Sequence, residues 1–271
     1  MKISADIVGR EARPETVRVG KRWLMAYNAA LGEVSAEPHP MFPVCYEWPA
    51  NRSLREVTGL QALNAQLVHA QHDVTLHRGV KEEELVVSGK VVAAAQRRPG
   101  AFVVLRMEAR GAAGDKVSTT DYGMLYRGVT LEGGDRALEK VEDPARHAEE
   151  LKPIGEVPVA ATAAHVYTEC ARIWNPIHTD PEYARDAGLP GIILHGTATL
   201  AFSISALVGT FELRNVRRVR CRFAGMVLMP SALTVHAARE GTRIAFETRN
   251  ERGEAVIERG WISYTRGKVP S

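Results

Sequence analysis

Apolar and polar positions change their spacing along this chain in an order that occurs twice. From Gly20 to Leu31 the apolar residues recur at helical spacing, Pro38 to Pro43 interrupts them as a loop, and Cys45 to about Val57 resumes a helical pattern. Pro49 must begin or kink that second helix, because proline lacks the N–H that an interior turn needs. Strand-like runs follow near Val68 to His77, Glu84 to Ala94, Phe102 to Arg110 and Lys116 to Tyr126, with turns at Arg98-Pro99-Gly100 and Gly111 to Asp115. The second half repeats the order. A helix is predicted from Ala161 to Ile173, with Thr162 as N-cap and Pro176 forbidding continuation, and a loop then holds Asn175 and His178. The run His195 to Val208 is too long for a strand and rich in small residues, so it reads as a buried helix. Strands are predicted at Val216 to Phe223, Ala232 to Arg239, Arg243 to Asn250 and Ala255 to Thr265, the last three joined by short turns as in an antiparallel meander.

Helix, loop, central helix and meander, twice over, imply an α+β chain of two like subdomains, each a bent antiparallel sheet around one helix. Their ends compare directly: MEARGAAGDKVSTTDYGMLYR and ETRNERGEAVIERGWISYTR share a strand, a Gly-bearing turn, a second strand and a finish of Tyr and Arg, aromatic-x-Arg in the second. Gly128 to Gly155 is charged and poor in large apolar residues, a connector or surface helix. The boundary is placed near residue 150, giving 1–150 and 151–271.

Composition narrows the function classes. At 271 residues, 45% hydrophobic and 25% charged, the chain has the make-up of a globular protein rather than a disordered one. Met1 to Pro14 has no apolar signal-like core, and no run approaches the roughly 20 apolar residues of a spanning helix, so a cytoplasmic protein without membrane attachment is expected. Cys45, Cys170 and Cys221 are odd in number and lack CxxC spacing, which argues for reduced thiols over disulfides or structural zinc. A net charge of +3 is too small to indicate nucleic acid.

The chemistry concentrates in residues 167–196, YTECARIWNPIHTDPEYARDAGLPGIILHG. His178 follows an Asn-Pro break that fixes its backbone, and an imidazole exchanges protons near neutrality; the alternative is an ordinary surface histidine. Asn175 either orients a water or holds the loop. His195 and Gly196 stand at the head of the apolar helix, where free N–H groups and the dipole favour developing negative charge; the glycine also suits close helix–sheet packing.

This stretch resembles the signature of MaoC-like (R)-specific enoyl-CoA hydratases and dehydratases, in which Asp-x-Asn-Pro-x-His supplies a carboxylate and an imidazole to one water. The resemblance implies a tandem, or double, hotdog fold and a lyase acting on an enoyl or 3-hydroxyacyl thioester. Coenzyme A or the phosphopantetheine of a carrier protein would enter as part of the substrate, with no separate cofactor and no metal. It also implies that the Gly196 N–H polarises the thioester carbonyl and that His178 serves as acid and base. The Asp position is Ile173, beside Trp174, and both are candidates to line the substrate pocket. Asp180, Glu169 and Asp73 are candidates to replace the carboxylate, although Asp180 before Pro181 also suits a helix N-cap. Asp73 lies among His69, His72 and His77 in a spacing that matches no ligand pattern. Arg218, Arg220 and Arg222 alternate on one strand face, either solvated or meeting the phosphates of coenzyme A or a carrier protein. A homodimer is expected, with a monomer open because the tandem copy covers what a second chain otherwise would. Two alternatives stand beside hydration: a single-base isomerase or specialised dehydratase in the same pocket, and a non-catalytic thioester-binding subunit.

Overall fold

A computed structural model describes residues 1–265. Its elements are β1 (Lys2–Ser4), β2 (Glu15–Val19), α1 (Lys21–Ala30), α2 (Pro43–Val57), β3 (Leu67–Leu76), β4 (Glu83–Arg97), β5 (Gly100–Gly111), β6 (Lys116–Arg127), β7 (Thr130–Glu132), β8 (Arg136–Ala137), β9 (Lys152–Val159), α3 (Ala163–Ala171), α4 (Pro181–Asp186), α5 (Gly196–Phe211), β10 (Val216–Phe223), β11 (Ser231–Glu240), β12 (Arg243–Arg249) and β13 (Ala255–Tyr264). Arg266, which closes the second repeat's aromatic-x-Arg finish, lies outside the described residues.

The chain forms two compact units, Met1–Val19 with Tyr46–Asp143, and Gly20–Cys45 with the chain from Pro144 on. In the first, antiparallel strands run in the order β2-β4-β5-β6-β3. In the second they run β9-β11-β12-β13-β10, also antiparallel. Strand for strand, the two orders are the same. The repeat therefore reaches further back than the meanders, to β2 and β9, each placed before its meander. Pro153 and Pro158 hide β9 from a pattern reading, since proline cannot donate to a ladder; the strand sits at the end of its order, where proline is tolerated.

Two details differ from the sequence reading. Of connector and surface helix, residues 128–151 are the connector, with β7 paired to β1 and β8 to β4, and β9 begins at Lys152, inside the bounds expected for it. And α1, assigned by chain order to the first half, packs with the second unit: Trp23 Nε1 donates to the Cys170 carbonyl at 2.8 Å, and the Trp23 ring lies under the Arg172 guanidinium.

Each unit places a bulky aromatic over a glycine of the neighbouring strand. A Cβ on Gly260 would lie 2.5 Å from the Phe246 ring, and one on Gly123 would lie 2.7 Å from that of Phe102. The central helix of the second unit, α5, buries Leu200, Ile204 and Leu207 completely. Full burial of such a side chain stabilises by about 1.5–3 kcal/mol. The three cysteines are free thiols.

Candidate active site

Every group of the site described here lies in the second unit. α3 ends at Ala171, and Arg172 turns the chain with a left-handed φ of 60°. Asn175, extended as a residue before proline must be, caps the short turn Pro176–His178, its side chain accepting the Ile177 N–H at 3.4 Å. Asn175 thus holds the loop. His178 Nδ1 lies 2.8 Å from the Ile193 carbonyl, which can only accept; Nδ1 therefore carries the proton and Nε2 the lone pair. His178 is 8% exposed, and burial lowers its pKa to about 4, so it is neutral at neutral pH.

The His178–Ile193 bond ties the imidazole to the turn that enters α5. His195 is the N-cap residue of that helix, and its ring stacks on His178 with centroids 3.6 Å apart and planes 25° from parallel. Its Nε2 lies 3.2 Å from Thr168 Oγ1 on α3. Burial first, and His178 second, hold the His195 pKa well below its usual value against the raising influence of the Ile173 carbonyl. Gly196 opens the helix, where its N–H has no acceptor four residues back. A Cβ there would come 3.3 Å from the Phe223 ring, so close packing and a free N–H both call for glycine at this position.

Four residues not singled out in the sequence complete the surroundings. Tyr167 OH donates to Thr197 Oγ1 at 3.2 Å, Tyr27 OH lies 3.4 Å from Tyr167 OH, and Tyr27 donates to the Met41 carbonyl. Tyr167 and Thr168 share the buried stripe of α3 with Ala164 and Ala171, so polar residues on an otherwise apolar helix face were the available signal.

Ile173 is 6% exposed, with its carbonyl beside His195, whereas Trp174 is 59% exposed. Asp180 takes its alternative use: Oδ1 accepts the Glu182 and Tyr183 N–H groups as the N-cap of α4. Glu169 is exposed. Asp73 belongs to β3 of the first unit, where His69 and His72 pack around Tyr122. Among the described residues no carboxylate hydrogen-bonds to either ring of the His178–His195 pair. Arg218, Arg220 and Arg222 alternate with buried Val219 and Cys221, as expected, with a register shift between Arg220 and Arg222.

Comparison with known proteins shows what the chain is similar to. The MaoC like domain family matches residues 143–259. Mouse peroxisomal multifunctional enzyme type 2 is 29% identical over 220 residues, which are 78% of this chain and 29% of that protein. The chain thus spans about three-tenths of the length of that relative. An enoyl-CoA hydratase of Mycobacterium tuberculosis is 33% identical over 159 residues, 54% of each chain. Among solved structures, a MaoC-like dehydratase from Phytophthora capsici superposes with a TM-score of 0.81 over 97% of this chain and 98% of its own, at 18% identity. A Mycobacterium tuberculosis protein with a double hotdog fold does so at 0.62 over 94% and 95%, at 11% identity. Residues 143–259 thus match the MaoC like domain family, within a chain that has the double hotdog fold.

Proposed function

We propose that this chain adds water to a trans-2-enoyl thioester of coenzyme A or a carrier protein, or removes it from the 3-hydroxyacyl form. The observation that carries this reading is the His178 Nδ1–Ile193 bond, which leaves Nε2 as a free base beside the opening of α5. His178 Nε2 takes a proton from water as the water oxygen bonds to C3. The C2=C3 electron pair moves onto the thioester oxygen, where the Gly196 N–H holds it, and the imidazolium then returns its proton to C2. One imidazole closes the cycle. It does so as a weak base, because burial disfavours the imidazolium on which the first step depends.

The test is hydration of short and medium enoyl-CoA substrates, followed by ultraviolet loss of the conjugated thioester. His178→Ala is expected to lose at least ~100-fold in rate, in the range of a removed general base; full activity in that variant sinks the assignment. A second reading is favoured because, among the described residues, no carboxylate hydrogen-bonds to His178: isomerisation, in which one base carries one proton between C2 and C4 of an enoyl thioester. Conversion of a 3-enoyl-CoA without hydration of the 2-enoyl form would select it. Saturable thioester binding with neither reaction would assign the chain as a non-catalytic binding subunit.

A further inference from the structure

The hydroxyls of α5 are not used alike. Thr199 donates to the His195 carbonyl at 3.1 Å and Ser203 to the Thr199 carbonyl at 2.8 Å, the usual return of a helical hydroxyl to the turn before it. Thr197 does not follow them. Its Oγ1 accepts from Tyr167, and among the described residues it donates to no protein group. The Ile193 carbonyl, four residues back, takes His178 Nδ1 instead.

Proton direction along this chain of hydroxyls leaves one donor over. Tyr27 gives its proton to the Met41 carbonyl, and Tyr167 gives its own to Thr197. A hydroxyl that accepts in this way keeps its own proton to give elsewhere. Thr197 is half-buried and second in the helix, and Cα–Cβ bonds lean toward a helix N-terminus, so this side chain leans over the opening where the Gly196 N–H emerges. Tyr27 and Tyr167 are fully buried and ring-packed on each other at 5.7 Å, and Tyr167 lies 5.0 Å from His195, so the acceptor side of Thr197 is held by rigid neighbours.

We propose that the Thr197 hydroxyl is a second donor to the thioester oxygen, beside the Gly196 N–H, and that Tyr167, braced by Tyr27, is the positioning residue that aims it. The inference rests on the thioester reading of the site. It holds equally for hydration and isomerisation, since both pass through the same enolate oxygen.

The experiment uses the full chain and a dimethylaminocinnamoyl thioester of coenzyme A, whose absorption moves to the red as its carbonyl is polarised. Wild type is expected to bind it with a red shift. Thr197→Val, which keeps the shape but loses the hydroxyl, is expected to bind within a few-fold of wild type and lose much of that shift. Its kcat should fall about 100-fold while KM stays near wild type, the range for one lost oxyanion donor. Thr197→Ser should restore both readouts, and Tyr167→Phe should lose part of each. A full shift in folded Thr197→Val overturns the inference while leaving the thioester reading intact. Wild type that binds the probe without a shift, or fails to bind it, overturns the thioester site and the inference together.

Discussion

Replacing Ile173 with aspartate tests whether the missing carboxylate is what makes His178 so weak a base. Burial moves the His178 pKa from 6.5 to about 4, a bias toward the neutral ring of about 3 kcal/mol. An opposite charge within a few ångströms raises such a pKa by about 1–3 units, so His178 in Ile173→Asp should titrate between about 5 and 7. The exchange has a stability cost: Ile173 is 6% exposed, and giving up its burial removes about 1.5–3 kcal/mol before the new pair returns any of it. The measurement is a titration of the imidazole nitrogens by 15N NMR, with His178→Gln identifying the signal and urea unfolding confirming that the variant is folded. The acid limb of the pH–rate profile should move up by the same amount, and turnover at neutral pH should rise. A folded variant whose His178 still titrates near 4 refutes the reasoning, because the residue-173 side chain then does not face the imidazole.

Acid should destabilise the wild type relative to His178→Gln. The unfolded histidine protonates near 6.5 and the folded one near 4, so its contribution is complete above pH 6.5 and is lost as pH falls through 4, a relative change of about 3 kcal/mol by chemical denaturation. Glu47, on α2, has the opposite sign. Burial lifts its pKa from 4.5 to about 7 although Tyr122, Ser118 and Thr120 all donate to it, so its contribution is complete below pH 4.5 and lost as pH rises through 7. Wild type should therefore lose about 3 kcal/mol relative to Glu47→Gln between pH 4 and 8; a constant difference would show that Glu47 does not titrate in that window. Gly260→Ala should cost about 1–3 kcal/mol by pressing on the Phe246 ring, and Phe246→Leu in the same chain should recover much of it; additive losses in the double variant would refute the contact.

The α5 run and both meanders were legible because their periodicities are long and uninterrupted, and a one-residue slip would expose a buried face. β9 was hidden because its eight residues carry two prolines, and the allegiance of α1 because chain order does not encode the partners of Trp23 and Tyr27. At the site, the Asn175-Pro176-x-His178 run and the His195-Gly196 pair were readable as types and spacings. Tyr167 and Thr168 were not, since a tyrosine and a threonine on a helical stripe with alanines read as core, and only the fold shows their hydroxyls turned toward Thr197 and His195. Trp174, which beside the motif suggests a pocket wall, is largely exposed after the left-handed turn at Arg172.

The duplicated fold supplies two central helices, and their first residues separate their chemistry. α5 begins Gly196-Thr197, offering a main-chain N–H and a hydroxyl; α2 begins Pro43-Val44, offering neither, because proline has no N–H and valine no polar atom. At the fifth position α5 has Leu200 and α2 has Glu47, whose carboxylate is turned into the sheet of the first unit, Oε1 bound by Ser118 and Thr120 and Oε2 by Tyr122. A buried carboxylate in that place, ionised above its pKa of about 7, repels an enolate oxygen, where a helix opening with free donors attracts one. One thioester carbonyl per chain is therefore expected to be polarised. Calorimetric titration with the cinnamoyl probe should give a stoichiometry near one, with the red shift saturating at that same ratio; a second equivalent carrying its own red shift would refute the division of labour between the two helices.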